Sequence, residues 1–121
     1  MLNTSPRVVL DANVLFPFTI RDTLLRAAMV GLCQIYWSRE ILNEATRNLI
    51  ATGRMSKEQV AHLISAMSKA FPEALIEDYE PYIPLMSNDE KDRHVAAAAL
   101  KADAHLIITN NLKDFDPLPE G

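Results

Sequence analysis

Four acidic residues in separate parts of the chain could meet at one edge of a folded domain: Asp11, Glu44, Asp92 and Asp114. Asp11 follows an uninterrupted apolar segment at residues 8–10, which is typical of a β-strand buried on both faces. In open parallel α/β sheets, ligands bind outside the carboxyl ends of the strands. An acid at such a strand end is therefore a candidate for a binding or catalytic site.

Helical periodicity distinguishes two of the other acids from ordinary surface carboxylates. In a helix predicted over residues 39–52, Glu44 lies at the border of the apolar stripe. In a helix predicted over residues 90–102, Asp92 lies near the middle of the core-facing side, whereas His94 lies on the opposite side and is predicted to be exposed. A carboxylate directed at a core is costly unless it is paired, hydrogen-bonded or bound to a metal. Asp92 is therefore a stronger site candidate than Glu44.

Each of these acids also has an ordinary structural explanation. Glu44 could be a surface glutamate, or it could pair with Arg47 or Asn48 on its own helix. Asp92 could complete a helix cap with Asp89, three residues earlier, and Asp114 could do the same with Asn111. Local sequence alone leaves both explanations open for each acid.

Together, the four acids suggest a site for a hard divalent cation. Mg²⁺ and Mn²⁺ are bound by several oxygen ligands. Metal ions held in this way activate water and stabilise charge on the leaving oxygen of a phosphodiester. The pattern therefore favours metal-assisted phosphodiester hydrolysis, with metal ligands at Asp11, Asp92 and Asp114 and a further catalytic acid at Glu44.

The elements that would position these acids alternate between strands and helices. Strands are predicted over residues 7–11, 34–37, 82–85 and 105–109, and helices over residues 20–30, 39–52, 57–70 and 90–102. Such alternation predicts a parallel sheet in a three-layer α/β/α sandwich. Residues 74–76 could also be a strand, but residues 82–85 are the better candidate for the third strand, where a proline suits an edge.

The length, composition and charge of the chain limit the classes of protein to which it could belong. The chain has 121 residues, of which 49% are hydrophobic and 23% are charged, so we expect one soluble domain over residues 1–121. It has neither a membrane-spanning apolar run nor the apolar core of a signal peptide. The single cysteine, Cys33, excludes an internal disulfide and fits the cytoplasm. A net charge of −4 disfavours a general nucleic-acid binder, but it is compatible with an enzyme that acts on nucleic acid through bound metal.

Four segments, taken in order, resemble the PIN-domain family of nucleases, and in particular bacterial VapC-like toxins. They read VVLDANVL, YWSREILNEATRNL, NDEKDRHVAAAALKADAHLIITNN and LKDF. The resemblance covers nearly the whole chain. It implies a parallel sheet of order 3-2-1-4-5, an acidic pocket for Mg²⁺ or Mn²⁺, and endoribonuclease activity. The partners that it implies are an RNA substrate, a cognate antitoxin protein and a second copy of the chain in a homodimer.

The resemblance also assigns individual residues. It matches Asp11, Glu44 and Asp92 to three of the family's acids, and Asn13 and Thr109 to polar positions that support the pocket. The family's fourth acid usually follows the fourth strand in a threonine–any–aspartate pattern. Here that pattern reads TNN, so that Asn111 stands in place of the carboxylate, and Asp114 could supply the missing charge one helical turn later.

A second departure from the family pattern is at the C-terminus. The chain ends at Gly121, before the usual fifth strand and final helix, which predicts either a four-stranded sheet of order 3-2-1-4 or a sequence truncated after Gly121. Three basic residues are expected near the rim of the cleft and could contact RNA phosphates, although each could simply be solvated: Arg39, Lys91 and Lys113.

The sequence therefore favours a metal-dependent endoribonuclease, the toxin of a toxin–antitoxin pair. The alternative is a catalytically weak or inactive module that binds RNA or a partner protein, which Asn111 and the short C-terminus favour. A phosphatase with an aspartyl nucleophile at Asp11 is disfavoured, because Asn13 cannot serve as the second acid that such chemistry needs.

Overall fold

A four-stranded parallel β-sheet lies at the centre of the computed structural model, which describes residues 5–110. The strand order is β3-β2-β1-β4, and every neighbouring pair is parallel. The strands are β1 (Arg7–Leu10), β2 (Gln34–Ser38), β3 (Leu75–Ile76) and β4 (Leu106–Ile108). Both the parallel sheet and the strand order 3-2-1-4 that the sequence predicts are confirmed.

Helices connect the strands and cover the sheet. They are α1 (Ala12–Leu15), α2 (Phe18–Met29), α3 (Arg39–Ala51), α4 (Lys57–Ala70) and α5 (Arg93–Lys101), with 3₁₀ helices at Glu80–Leu85 and Glu90–Asp92. Because parallel crossovers are right-handed, α2, α3 and α4 lie on one face of the sheet and α5 lies on the other. Within residues 5–110, no helix is both long enough and apolar enough to cross a bilayer.

The central strand β1 has the burial that its apolar sequence predicts. Val8, Val9 and Leu10 are all at least 98% buried, because β1 lies between β2 and β4 and is covered on both faces. Val9 pairs with Tyr36 of β2 and with Ile107 of β4. This register brings the carboxyl ends of β1, β2 and β4 to one edge of the sheet.

Helix α3 begins without any loop after β2. The last residue of β2, Ser38, is fully buried and is also the N-cap of α3, since its Oγ accepts a 3.1 Å hydrogen bond from the amide of Ile41. The first turn of α3 is therefore fixed at the carboxyl edge of the sheet.

The predicted third strand at residues 82–85 is wrong. These residues belong to the 3₁₀ helix Glu80–Leu85, and the third strand is Leu75–Ile76, which pairs with the end of β2. Pro81 and Pro84 favour the 3₁₀ conformation, because the proline ring fixes φ and removes the amide that a strand would use. A strand of two residues gives no periodic signal that could have outweighed this segment.

The predicted exposure of His94 is also wrong, for a related reason. His94 is only 7% exposed. The 3₁₀ helix Glu80–Leu85 packs against α5, and His94 lies 3.7 Å from Glu40 of α3, so α5 has neighbours beyond the sheet that it covers. Burial therefore continues around α5 from His94 to Ala98.

Candidate functional site

Asp11 lies where β1 ends and α1 begins. It is 4% exposed, and its own amide donates to the carbonyl of Ile108 in β4 at 3.1 Å. Its Oδ1 accepts a 2.7 Å hydrogen bond from the amide of Ala12, so that Asp11 caps α1. Its Oδ2 accepts a 2.9 Å hydrogen bond from the hydroxyl of Thr109, just after β4. The two neighbouring strands therefore hold this carboxylate in one orientation.

Asn13 completes the set of contacts around Asp11. Its amide Nδ2 donates to Thr109 Oγ1 at 3.1 Å, and the hydroxyl of Thr109 has two acceptors in reach, Asp11 Oδ2 at 2.9 Å and Asn13 Oδ1 at 3.2 Å. Its Oδ1 accepts from the backbone amide of Asn110 at 3.0 Å. Asn13 thus contacts Thr109, which in turn contacts Asp11. Because Asn13 is an amide, it does not add a further carboxylate to the site.

Asp92 is the last residue of the 3₁₀ helix Glu90–Asp92 and directly precedes α5. It is 7% exposed, although it is a carboxylate. Asp89 caps the 3₁₀ helix by accepting from the amide of Lys91 at 3.1 Å, whereas Asp92 makes no side-chain capping bond to α5. Capping therefore accounts for Asp89 but does not account for the burial of Asp92.

The direction of α5 brings Asp92 to the edge of the sheet that carries Asp11. Helix α5 leads into β4, which is parallel to β1, so its first residues lie at the carboxyl ends of the strands. A contact across the sheet edge supports this placement: Nδ1 of His94 lies 3.7 Å from Oε1 of Glu40, in the first turn of α3.

Glu44 lies in the second turn of α3 and is partly buried. Helix α1, which follows Asp11, packs against α3. The alternative of an ion pair with Arg47 is not realised in residues 5–110. The partial burial of Glu44 agrees with a position at the border of the apolar stripe of α3.

The described acids approach one edge of the sheet without forming a complete cation site. Within residues 5–110, no three acidic, histidine or cysteine side chains are grouped closely enough to hold a metal ion. Three of the predicted site residues lie outside the described residues: Asn111, Lys113 and Asp114.

A comparison with known protein families identifies the family of the chain. A family model described as PIN domain matches residues 7–113. The chain belongs to the PIN-domain family. The resemblance that the sequence motifs indicate is thereby confirmed.

A local match links this PIN domain to a protein of Mycobacterium tuberculosis (strain ATCC 25618 / H37Rv) that is named "Putative ribonuclease VapC50". The two are 51% identical over 37 residues. The matched stretch is 31% of this chain and 22% of the other protein. It supports the relationship between the two proteins over a short segment only.

Basic residues occur at the same sheet edge of the PIN domain. Arg39 is the first residue of α3, and Lys91 lies in the 3₁₀ helix that ends at Asp92. Both side chains are exposed, as contact with a polyanion requires.

Two buried polar groups near Asp92 have no hydrogen-bond partner in the part of the chain that the structure describes. They are the side-chain amide of Asn88, which is 3% exposed, and Nδ1 of His94. Leaving such groups unsatisfied typically costs about 1–3 kcal/mol each. Asn88 and His94, which lie close to Asp92 in the sequence, therefore retain hydrogen-bonding capacity.

Sequence reasoning missed a cluster of three residues in this PIN domain. The phenol of Tyr79 donates a 2.6 Å hydrogen bond to Oε1 of Glu40, the oxygen that faces His94. Burial raises the pKa of Tyr79 to about 12, and the hydrogen bond to Glu40 and its charge add to the effect. The sequence shows an acidic residue, Glu40, two residues after the cap Ser38. Its contacts with Tyr79 and His94 could not be predicted, because they join segments that are distant in the sequence.

Proposed function

We propose that this PIN-domain protein is a divalent-metal-dependent endoribonuclease that cleaves RNA phosphodiester bonds, and that it is the toxin of a toxin–antitoxin pair. The observation that carries the proposal is the buried carboxylate of Asp11 at a strand end, oriented by Thr109 and located at the sheet edge that also carries the buried Asp92. Membership of the PIN-domain family and the short match to VapC50 support it.

The donor chemistry fits Mg²⁺ or Mn²⁺. Each carboxylate oxygen of Asp11 accepts one described hydrogen bond and retains a further lone pair for a cation. Asp11 and Asp92 would hold the principal metal, and Glu44 and Asp114 would complete the cluster. A bound metal would activate water and stabilise the charge that develops on phosphate oxygens.

The residues of the chain have distinct parts in this reaction. Asn13 and Thr109 hold the carboxylate of Asp11 in a fixed orientation, which removes the cost of reorganisation during the reaction. Glu44 and Asp114 are the candidates that orient the attacking water and accept its proton. Attack in line on phosphorus breaks the bond to the 3′ oxygen and leaves a 3′-hydroxyl and a 5′-phosphate.

RNA would lie along the carboxyl edge of the sheet. Arg39 and Lys91 are exposed at this edge, and Lys113 is a third candidate for contact with phosphates. A basic rim around an acidic centre would hold the substrate backbone while the metal meets the scissile phosphate. A cognate antitoxin and a second copy of the chain are the proposed protein partners.

The second candidate function is a catalytically weak or inactive PIN module that binds RNA or a partner protein. Two observations favour it: no group of three metal-binding side chains lies within residues 5–110, and Asn111 stands where the family usually has an acid. Such a module would bind RNA through its basic rim and would bind Mn²⁺ weakly.

An RNA cleavage assay with Mn²⁺, with Mg²⁺ and with EDTA separates the two functions. The nuclease predicts cleavage with one or both metals, none with EDTA, and products that end in a 3′-hydroxyl. Binding of the same RNA without cleavage under any of these conditions would favour the inactive module.

A further inference from the structure

The carboxylate of Glu40 joins three separate elements of the fold. It lies in the first turn of α3, accepts a hydrogen bond from Tyr79, which precedes the 3₁₀ helix Glu80–Leu85, and faces His94 in the first turn of α5. The distance from Glu40 Oε1 to Tyr79 Oη is 2.6 Å, which is short enough for a strong charge-assisted bond. Glu40 is therefore hydrogen-bonded to Tyr79 and lies next to His94 at 3.7 Å, without a hydrogen bond between the Glu40 and His94 side chains.

Two of the three side chains in this cluster are buried and therefore restricted in their movement. Tyr79 is 6% exposed and His94 is 7% exposed, whereas the Glu40 side chain is 53% exposed. Because burial and the neighbouring carboxylate raise the pKa of Tyr79 to about 12, its phenol remains a donor at any physiological pH. Glu40 thus reaches from the protein surface to two fixed groups.

The backbone around Asp92 is held partly by its own 3₁₀ helix, since the amide of Asp92 donates to the carbonyl of Asp89 at 2.9 Å. Asp92 lies at the junction between a 3₁₀ helix and α5, with φ −107° and ψ 3°, and makes no side-chain capping bond to α5. Because Asp92 directly precedes α5, its position also depends on how the first turn of α5 is packed. His94, two residues later, is the part of that turn that lies next to Glu40.

We propose that Glu40 and Tyr79 are positioning residues that hold the first turn of α5 through His94, and thereby set the location of the Asp92 carboxylate. The catalytic part of this inference rests on the proposed nuclease function, whereas the structural part does not. Displacement of a reacting group by about 1 Å can cost on the order of 100-fold in rate. Loosening this connection would therefore lower turnover without removing any group that touches RNA.

Three variants test the proposal. Tyr79→Phe removes only the hydroxyl, Glu40→Ala removes the carboxylate, and Glu40→Gln keeps an acceptor for Tyr79. Glu58→Ala is the matched control, because Glu58 occupies the first turn of α4 as Glu40 occupies that of α3, so both lose the same favourable interaction with a helix dipole.

Two readouts distinguish positioning from general stability. The first is amide hydrogen exchange at residues 97–100, whose amides close the first turn of α5. The second is the separation of kcat from KM in RNA cleavage. We expect exchange at residues 97–100 to accelerate several-fold in Tyr79→Phe and Glu40→Ala, with kcat lower by about tenfold and KM within about twofold. Glu40→Gln restores most of both, and Glu58→Ala behaves as wild type.

The two proposals fail in different ways. Wild-type exchange at residues 97–100 in both Tyr79→Phe and Glu40→Ala overturns the positioning role, whatever the activity. Loss of kcat in Glu40→Ala with wild-type exchange also overturns it, because Glu40 would then act directly. Absence of RNA cleavage by the wild type defeats the proposed nuclease, and the exchange data then decide the structural connection alone.

Discussion

The hydroxyl of Thr109 donates a 2.9 Å hydrogen bond to the carboxylate of Asp11, across 98 residues of sequence. The bond is possible because β1 and β4 are parallel neighbours, with Leu10 opposite Ile108. The strand register thus places a neutral donor beside a buried acid. The orientation of this acid is consequently a property of the sheet and not of a flexible loop.

Thr109→Val should therefore impair cleavage more than folding. Valine keeps the shape of threonine but cannot donate to Asp11, and loss of a group that orients a metal ligand typically costs about 10- to 100-fold in metal affinity or activity. Since Thr109 is partly exposed, we expect the free energy of unfolding to change by only about 1 kcal/mol. The rate of Mn²⁺-dependent RNA cleavage and the free energy of unfolding in urea measure the two effects. Thr109→Ser, which keeps the hydroxyl, should remain close to wild type; equal defects in both variants would contradict the role of the hydrogen bond.

Arg21 should be important for stability. Its buried guanidinium donates to the carbonyls of Leu15 at 2.8 Å and Phe16 at 3.2 Å, at the end of the short helix that follows Asp11. Arg21→Met leaves these carbonyls without their donor, and we expect a loss of about 2–3 kcal/mol in the free energy of unfolding. Urea denaturation provides the measurement.

The matched control for that variant is Arg26→Met on the same helix. Arg26 is exposed and forms a surface ion pair with Asp22, which typically contributes under about 1 kcal/mol. If the two methionine variants were equally stable, the contacts of Arg21 would contribute nothing beyond helix propensity.

Stability at high pH should depend on Tyr79. Its pKa is raised from 10.0 to about 12 in the folded protein, first by burial and then by Glu40. The stabilisation that the neutral phenol provides is therefore complete below pH 10 and is lost progressively as the pH rises towards 12. The difference in unfolding free energy between wild type and Tyr79→Phe should shrink as the pH rises from 9 to about 11.5. A difference that stays constant over this range would show that the phenol ionises equally in both states.

The sequence was most informative where a single constraint governs a segment. Strand β1 was predictable because burial on both faces demands consecutive apolar residues, and its position made Asp11 conspicuous. The inward location of Asp92 was predicted from α-helical periodicity, and Asp92 is buried, although it lies in a 3₁₀ helix that precedes α5. Both inferences needed only local periodicity and the rule that ligands bind at strand ends.

Prediction failed where packing between distant segments decides the outcome. Residues 82–85 have strand-like composition, but their prolines and their packing on α5 give a 3₁₀ helix. His94 of α5 is also buried, and its Nδ1 lies 3.7 Å from Glu40 of α3. A helical projection of one segment cannot show which other segments pack against it. The cluster of Glu40, Tyr79 and His94 therefore followed from the structure alone.

A control for the central experiment lies at the opposite edge of the sheet. Asp103 is exposed and pairs with Arg7 at 3.1 Å, at the start of β1. Its φ is 54°, a left-handed conformation that asparagine accepts nearly as readily as aspartate. Asp103→Asn therefore makes the same chemical change as a variant of the site, and we expect it to cleave RNA as wild type does.

The most direct test is the rate of Mn²⁺-dependent RNA cleavage by Asp11→Asn and Asp92→Asn, each confirmed as folded by circular dichroism. Both substitutions keep the size of the side chain but remove a charged oxygen ligand. We predict a loss of roughly 100-fold or more in each variant, with Asp103→Asn unaffected. Cleavage at the wild-type rate by both Asp11→Asn and Asp92→Asn would contradict the assignment of this sheet edge as the catalytic site.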